Sequence, residues 1–220
     1  MRQITIGEVT FRTAKAATER VRAIIEKYKT DERVSTADAA FFHDMLALHP
    51  RCEEKMGVGV VGFVIRKNPI YPNRNINLIR ADNTECDFSW PRCLNGERHG
   101  QLQSQALRVC ILPQILAYKN LMLQTPQRCP ESGVSLTSNN CDVDHQAPQT
   151  FDKLVDDWLT TQDITIEGVA ITPSRDLQYM REMTDVVQIA SWYSFHQTHS
   201  QLRLLQHETH LHQPKHKYKR

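Results

Sequence analysis

Asp144 and His145 stand side by side in this sequence, and a distant histidine, His210, closes a leucine-rich run. Hydrolysis of a phosphodiester needs an activated water, neutralisation of charge at the phosphate and help for the departing oxygen. A neutral imidazole can take a proton from water near neutral pH. A carboxylate and an imidazole together can hold a divalent ion that binds the phosphate. Adjacent strand residues point to opposite sides, so Asp144 and His145 cannot share one role. That geometry suits a division of labour, with one side chain toward a metal and the other toward the water. A lone Asp-His pair is commonplace, and its default reading is a hydrogen-bonded turn. The run Leu202-Arg203-Leu204-Leu205 ending at His210, with Lys215 beyond it, moves the balance toward phosphodiester chemistry.

Other polar residues crowd the same stretch. His196, His199, His207, His212 and His216 read mostly as surface or helix-face histidines. Arg203 and Lys215 flank His210 and could grip phosphate oxygens; an exposed helix charge is the alternative reading for Arg203. The tail Lys215–Arg220 reads as a phosphate-binding arm or as a solubilising end. Upstream, the loop bounded by Arg66, Lys67 and Arg74 is basic and carries Tyr71, which suits contact with a nucleic-acid backbone; a solvated hairpin loop competes with that reading.

These residues need elements to position them. Gln3–Phe11 reads as a strand. Thr13 caps a helix with Ala17, Val21, Ile24, Ile25 and Tyr28 on its apolar face. Ser35 starts a second helix, with Phe41, Met45, Leu46 and Leu48 as its apolar side. Gly57–Ile65 reads as a buried strand and not a nucleotide loop, because no Lys-Ser/Thr pair follows its glycines. Asn75–Arg80 and Glu85–Trp90 form a hairpin about Asp82-Asn83. A long helix spans Gln101–Met122, kinked or divided at Pro113, and joins two modules. Residues 124–140 read as loop, a short strand ends at Asp144-His145, and a helix runs from Thr150 to Thr160.

On these residues the C-terminal part resembles the HNH nuclease superfamily, whose site is a β-hairpin packed on a helix around one metal. Val143-Asp144-His145 is similar to the first signature of that superfamily, and Gln201 through His210 to the second. The resemblance implies that His145 is the general base, that Asp144 and His210 hold the metal, and that Gln201 stands where an asparagine usually orients the base. The sequence departs from the pattern at Gln206 and Thr209, where many members carry zinc-binding cysteines, and at Cys129-Pro130-Glu131-Ser132, which keeps one cysteine of a pair. This implies a knuckle held by packing, and structural zinc is not expected. The separation of His145 from His210 is long for the superfamily and implies a helical insertion.

The N-terminal part, Ile6–Leu94, resembles the DCL family (defective chloroplasts and leaves), through Phe11-Arg12-Thr13, Met56-Gly57-Val58-Gly59 and Asp87-Phe88-Ser89-Trp90-Pro91-Arg92-Cys93-Leu94. In bacterial relatives such a module precedes a region similar to Cys129–Lys215, including Val143-Asp144-His145 and Phe195-His196, and the recurrence of Phe195-His196 implies that His196 supports the site from behind or packs beneath it.

The expectation is therefore an α+β protein: a DCL-like α+β domain at 1–98, a linking helix at 99–124 and an HNH-like ββα-metal domain with a helical insertion at 125–220. Its expected activity is Mg²⁺- or Mn²⁺-dependent endonucleolytic hydrolysis of DNA. The alternative is a non-catalytic, RNA-processing type of nucleic-acid-binding module. A net charge of +2 is too small to establish a polyanionic partner by itself. No apolar run approaches the ~20 residues of a membrane span. With no secretory h-region at the start, a cytoplasmic protein is expected, with its six cysteines as buried thiols or ligands and not disulfides. Cutting both strands would require a homodimer or sequential nicks.

Overall fold

The computed structural model describes residues 3–68, 74–96 and 99–212. The class is α+β, and the chain divides into two units: Met1–His99 with Ser174–Tyr179, and Gly100–Pro173 with Met180–Arg220.

In the first unit the expected opening strand is folded back on itself. β1 (Ile4–Ile6) pairs antiparallel with β2 (Val9–Phe11) because the chain reverses at Gly7, whose φ of +56° is open to glycine without strain. α1 (Ala14–Glu26) is capped by the Thr13 hydroxyl, which accepts the Ala16 N–H at 3.1 Å, and it buries Ala17, Val21, Ile24 and Ile25. α2 (Thr36–Leu46) begins after Ser35 as expected but buries Phe42, Met45 and Leu46. Phe41 is only half-buried, and Leu48 lies past the helix end, exposed. α3 (Cys52–Met56) ends at Gly57, so the expected glycine-rich strand starts late, as β3 (Val60–Lys67). β3 pairs with β4 (Arg74–Arg80), and β4 with β5 (Glu85–Asp87), in one antiparallel sheet. Asn83 makes the expected turn with φ +64°, and Asp82 accepts the Thr84 N–H. α4 (Trp90–Asn95) covers the sheet with α1 and α2 around Phe42, Phe63, Ile65, Ile76 and Leu78. Segment Ser174–Tyr179 is tied to this unit by Arg80, which donates to both Asp176 carboxylate oxygens.

The second unit is built on α5 (Gln101–Met122), expected to be a linker but in fact part of a core. Ala106, Leu107 and Ile111 are buried against Leu154, Val155, Trp158 and Trp192. The helix continues through Pro113, whose missing N–H and ring would break an isolated helix. Contacts on both sides of the proline hold it. Trp192 Nε1 donates to Leu107 O at 2.9 Å, Tyr118 Oη to Leu202 O at 2.7 Å, and Lys119 Nζ to Cys141 O at 2.6 Å. The segment after α5 forms a small hairpin of β6 (Gln127–Arg128) and β7 (Ser135–Leu136). Then come β8 (Cys141–His145), α6 (Phe151–Gln162) capped by Thr150, a short 3-10 turn at Ile166–Gly168, and α7 (Val186–His199). β9 (Leu202–Gln206) returns to pair antiparallel with β8 and runs straight into α8 (His207–His212). Among the described residues no helix is long and apolar enough to cross a membrane.

Candidate active site

β8, β9 and α8 form a strand–strand–helix corner, with α6 and α7 inserted between the two strands. Strand alternation then decides what faces what. Asp142 and Asp144 project from one face of β8, and His145, the last residue of the strand, projects from the other. The register sets Asp144 opposite Arg203. α8 supplies His207 and His210, three residues apart and so on neighbouring positions of one helix face.

On the Asp144 face the side chains form a connected set. One Asp142 carboxylate oxygen, Oδ2, accepts from His207 Nδ1 at 2.7 Å and from His210 Nδ1 at 3.0 Å. Burial would raise the Asp142 carboxyl, but the two imidazole donors outweigh it and hold the group below its ordinary range. In the neutral ring with its Nδ1 proton on Asp142, the lone pair of His210 sits on Nε2. That nitrogen faces Asp144 Oδ1 at 3.7 Å. In that tautomer the two atoms are electron-pair donors facing each other. Two ligands each about 2.1 Å from one ion stand roughly 3–4 Å apart, so the pair fits a divalent metal. The other Asp144 oxygen accepts from Arg203 Nε at 2.8 Å, and Arg203 Nη1 also pairs with Glu131 at 3.0 Å. Among the described residues no three His, Cys, Asp or Glu side chains converge on one ligating point.

On the opposite face His145 is packed edge-on to Phe151 and His196, with ring centroids 5.5 and 5.2 Å away. His145 Nε2 lies 2.9 Å from His196 Nε2. His196 is fully buried, and its Nδ1 is 2.5 Å from Gln114 Oε1. Burial is the largest cause that holds His145 down to about 3. Asp144 and His145 end β8 and His210 lies on α8, so all three belong to the same strand–strand–helix corner.

Two of the supporting residues proposed from sequence divide. His196 touches His145 directly. Gln201 does not; its side chain is exposed, and its backbone carbonyl accepts the Gln146 N–H at 2.8 Å. Of the basic residues, Arg203 lies in the set, on β9 and not on a helix. Arg66, Lys67 and Arg74 lie in the other unit. Arg66 is paired with Glu85 and Asp31, Arg74 donates to Tyr28 O, and Lys67 is exposed. Lys215 and the basic tail lie outside the described residues, as does Tyr71.

Cys129 Sγ accepts the Gln206 N–H at 3.4 Å and Ser132 Oγ donates to Gln206 Oε1 at 2.8 Å. Cys129 and Cys141 are buried with Leu136, Leu204 and Leu205, so packing and hydrogen bonds join the β6–β7 hairpin to β9.

Sequence reasoning passed over Asp142 and Gln114 and read His207 as a surface or helix-face histidine. Asp142 and His207 carried a signal: Asp142 is two residues from Asp144 on a strand, and His207 three from His210 on a helix. Gln114 carried none, since only the packing of α5 against α7 brings it to His196.

Comparison with known proteins finds matches to part of the chain. Residues 22–94 match the family model described as "Protein of unknown function (DUF3223)". The chain is similar to the Arabidopsis thaliana protein DNA-directed RNA polymerase IV subunit 1, 28% identical over 87 residues. That stretch is 40% of this chain and spans 6% of the polymerase subunit. It is also similar to an uncharacterized protein from Rhodospirillum rubrum solved by solution NMR, at 29% identity and a TM-score of 0.40. The match covers 42% of this chain and 88% of that one.

Proposed function

We propose that the second unit is a divalent-metal-dependent endonuclease of HNH type that hydrolyses DNA phosphodiester bonds. The observation that carries this reading is the 3.7 Å approach of Asp144 Oδ1 and His210 Nε2 across a strand–strand–helix corner that also bears His145. Asp144 and His210 would hold Mg²⁺ or Mn²⁺, which when bound supplies charge neutralisation to the phosphate and to the departing oxygen.

The chain's own groups do the rest. Asp142 keeps His210 in the tautomer whose Nε2 lone pair is available, the usual role of a carboxylate behind a metal-binding histidine. Arg203, fixed by Asp144 and Glu131, adds positive charge beside the phosphate position. A ring nitrogen of His145 takes one proton from water while the water oxygen bonds to phosphorus in line. The bond from phosphorus to the 3′ oxygen breaks, that oxygen is protonated from solvent, and the products are a 5′-phosphate and a 3′-hydroxyl.

One such site cuts one strand. The likeness of part of this chain to a short part of an RNA polymerase subunit supports a nucleic-acid setting, and it is also what favours an RNA-binding module as the second reading. The test is nicking of supercoiled plasmid in Mg²⁺ or Mn²⁺ by wild type, Asp144→Ala and His210→Ala. Nicking that EDTA and both substitutions abolish supports the enzyme. Intact plasmid together with salt-sensitive binding of structured RNA would replace it with the binding module.

A further inference from the structure

We propose that Gln114 and His196 act as positioning residues that fix the tautomer of His145, with a proton on Nε2 and the Nδ1 lone pair free to accept a proton from water. The inference rests on the hydrolytic reading of the site and supplies the orientation of its base.

The assignment runs along a chain of hydrogen bonds whose direction is set at one end. Gln114 Nε2 lies 2.8 Å from Tyr193 O. A backbone carbonyl only accepts, so the amide nitrogen must face it, and the amide oxygen must face His196. Gln114 Oε1, 2.5 Å from His196 Nδ1, therefore requires a proton on that nitrogen. His196 is 0% exposed and its described ring-nitrogen partners are Gln114 and His145, neither of them anionic. Burial without a counter-charge favours the neutral ring, so with Nδ1 protonated its Nε2 carries the lone pair. The 2.9 Å bond between the two Nε2 atoms then needs its proton from His145. A neutral His145 with Nε2–H has one lone pair left, on Nδ1. The rings are also held sterically: His196 lies against Trp192 at 5.8 Å between centroids, and His145 against Phe151.

The chain also explains why the amide is at position 114 and on α5. That helix is anchored to β9 by Tyr118 and to β8 by Lys119, so Gln114 is held at a fixed distance from the corner it serves. A carboxylate in its place would reverse the chain. The carboxylate introduced by Gln114→Glu would stabilise His196 as an imidazolium, which donates from both nitrogens. His145 Nε2 would then become the acceptor, and its proton would move to Nδ1.

The experiment is long-range ¹⁵N–¹H correlation spectroscopy of the imidazoles in the metal-free full chain, for wild type and Gln114→Glu, beside plasmid nicking. In wild type the expected pattern is protonated Nδ1 on His196 and protonated Nε2 on His145. In Gln114→Glu the proton of His145 moves to Nδ1 and nicking falls about 10- to 100-fold. A wild-type His145 protonated on Nδ1, or a Gln114→Glu spectrum with the His145 tautomer unchanged, overturns the proposal. The wild-type spectrum decides this even where the variant folds poorly. The expected tautomers in a protein that does not nick DNA would support the chain and sink the hydrolytic reading. Reversed tautomers in a protein that nicks would sink the chain alone.

Discussion

Asp142 is not one of the two proposed metal ligands, yet the geometry makes metal affinity depend on it. Its Oδ2 accepts the His210 Nδ1 proton at 3.0 Å and so leaves Nε2 free toward Asp144. Asp142→Ala removes that acceptor and lets the ring turn or exchange tautomers. A hydrogen bond to a charged group is worth roughly 1.5–3 kcal/mol. With the Asp142 side chain 35% exposed, solvent screening reduces this to about 1–2 kcal/mol. Each 1.4 kcal/mol is tenfold in an equilibrium constant, so Mn²⁺ affinity should fall about 5- to 30-fold. Asp144→Ala, which removes a ligand outright, should cost more. Asp142→Asn keeps an acceptor oxygen without the charge and should fall between wild type and Asp142→Ala. The assay is calorimetric or electron-paramagnetic titration of Mn²⁺ into metal-free protein, with circular dichroism to check the fold. Unchanged affinity in Asp142→Ala, within twofold, would refute the reasoning; so would a loss equal to that of Asp144→Ala.

Three further outcomes follow from other parts of the molecule. His49 and His196 are buried, and burial is the first cause that holds each at about 4, against 6.5 in the unfolded chain. Between those values the unfolded state binds the extra protons, so the stability is complete above pH ~6.5 and is lost as pH falls through about 4, by up to ~3 kcal/mol for each histidine. Urea midpoints measured from pH 7.5 to 4 should therefore fall, and a flat profile would contradict the burial of both rings. Trp158→Ala should destabilise the second unit by about 3–5 kcal/mol in denaturant unfolding, since Trp158 is 0% exposed and packs on Trp192. Asp176→Ala should speed tryptic cleavage at Arg175 severalfold, because it removes the acceptor by which Arg80 holds segment Ser174–Tyr179; an unchanged cleavage rate would argue against that tether.

Much of the secondary structure was legible because local chemistry set it. Thr13, Ser35 and Thr150 announce helix starts, Asp82-Asn83 a turn, and the apolar spacing of Gln101–Met122 a long helix. What was not legible depended on partners remote in sequence. Pro113 argues for a broken helix until the anchors at Leu107, Tyr118 and Lys119 are seen. Gly7 divides the opening strand only because the chain on either side of it pairs. At the site, Asp144, His145 and His210 stood out by type and order, and Asp142 and His207 were recoverable from strand and helix periodicity. The exchange of Arg203 from an expected helix to a strand opposite Asp144 needed the register of β8 on β9. Nothing in the spacing of Gln114 and His196 foretells a hydrogen bond, because it is made across two packed helices.

The most direct test of the central claim is the single-turnover rate of supercoiled-plasmid nicking in Mn²⁺ by wild type and His145→Ala, with Mn²⁺ affinity measured on the same samples. The account predicts metal-dependent nicking by wild type, a rate about 10²- to 10⁴-fold lower in His145→Ala, and metal affinity changed far less than the rate. Nicking at the wild-type rate in His145→Ala, or no nicking by wild type loaded with Mn²⁺, would contradict it.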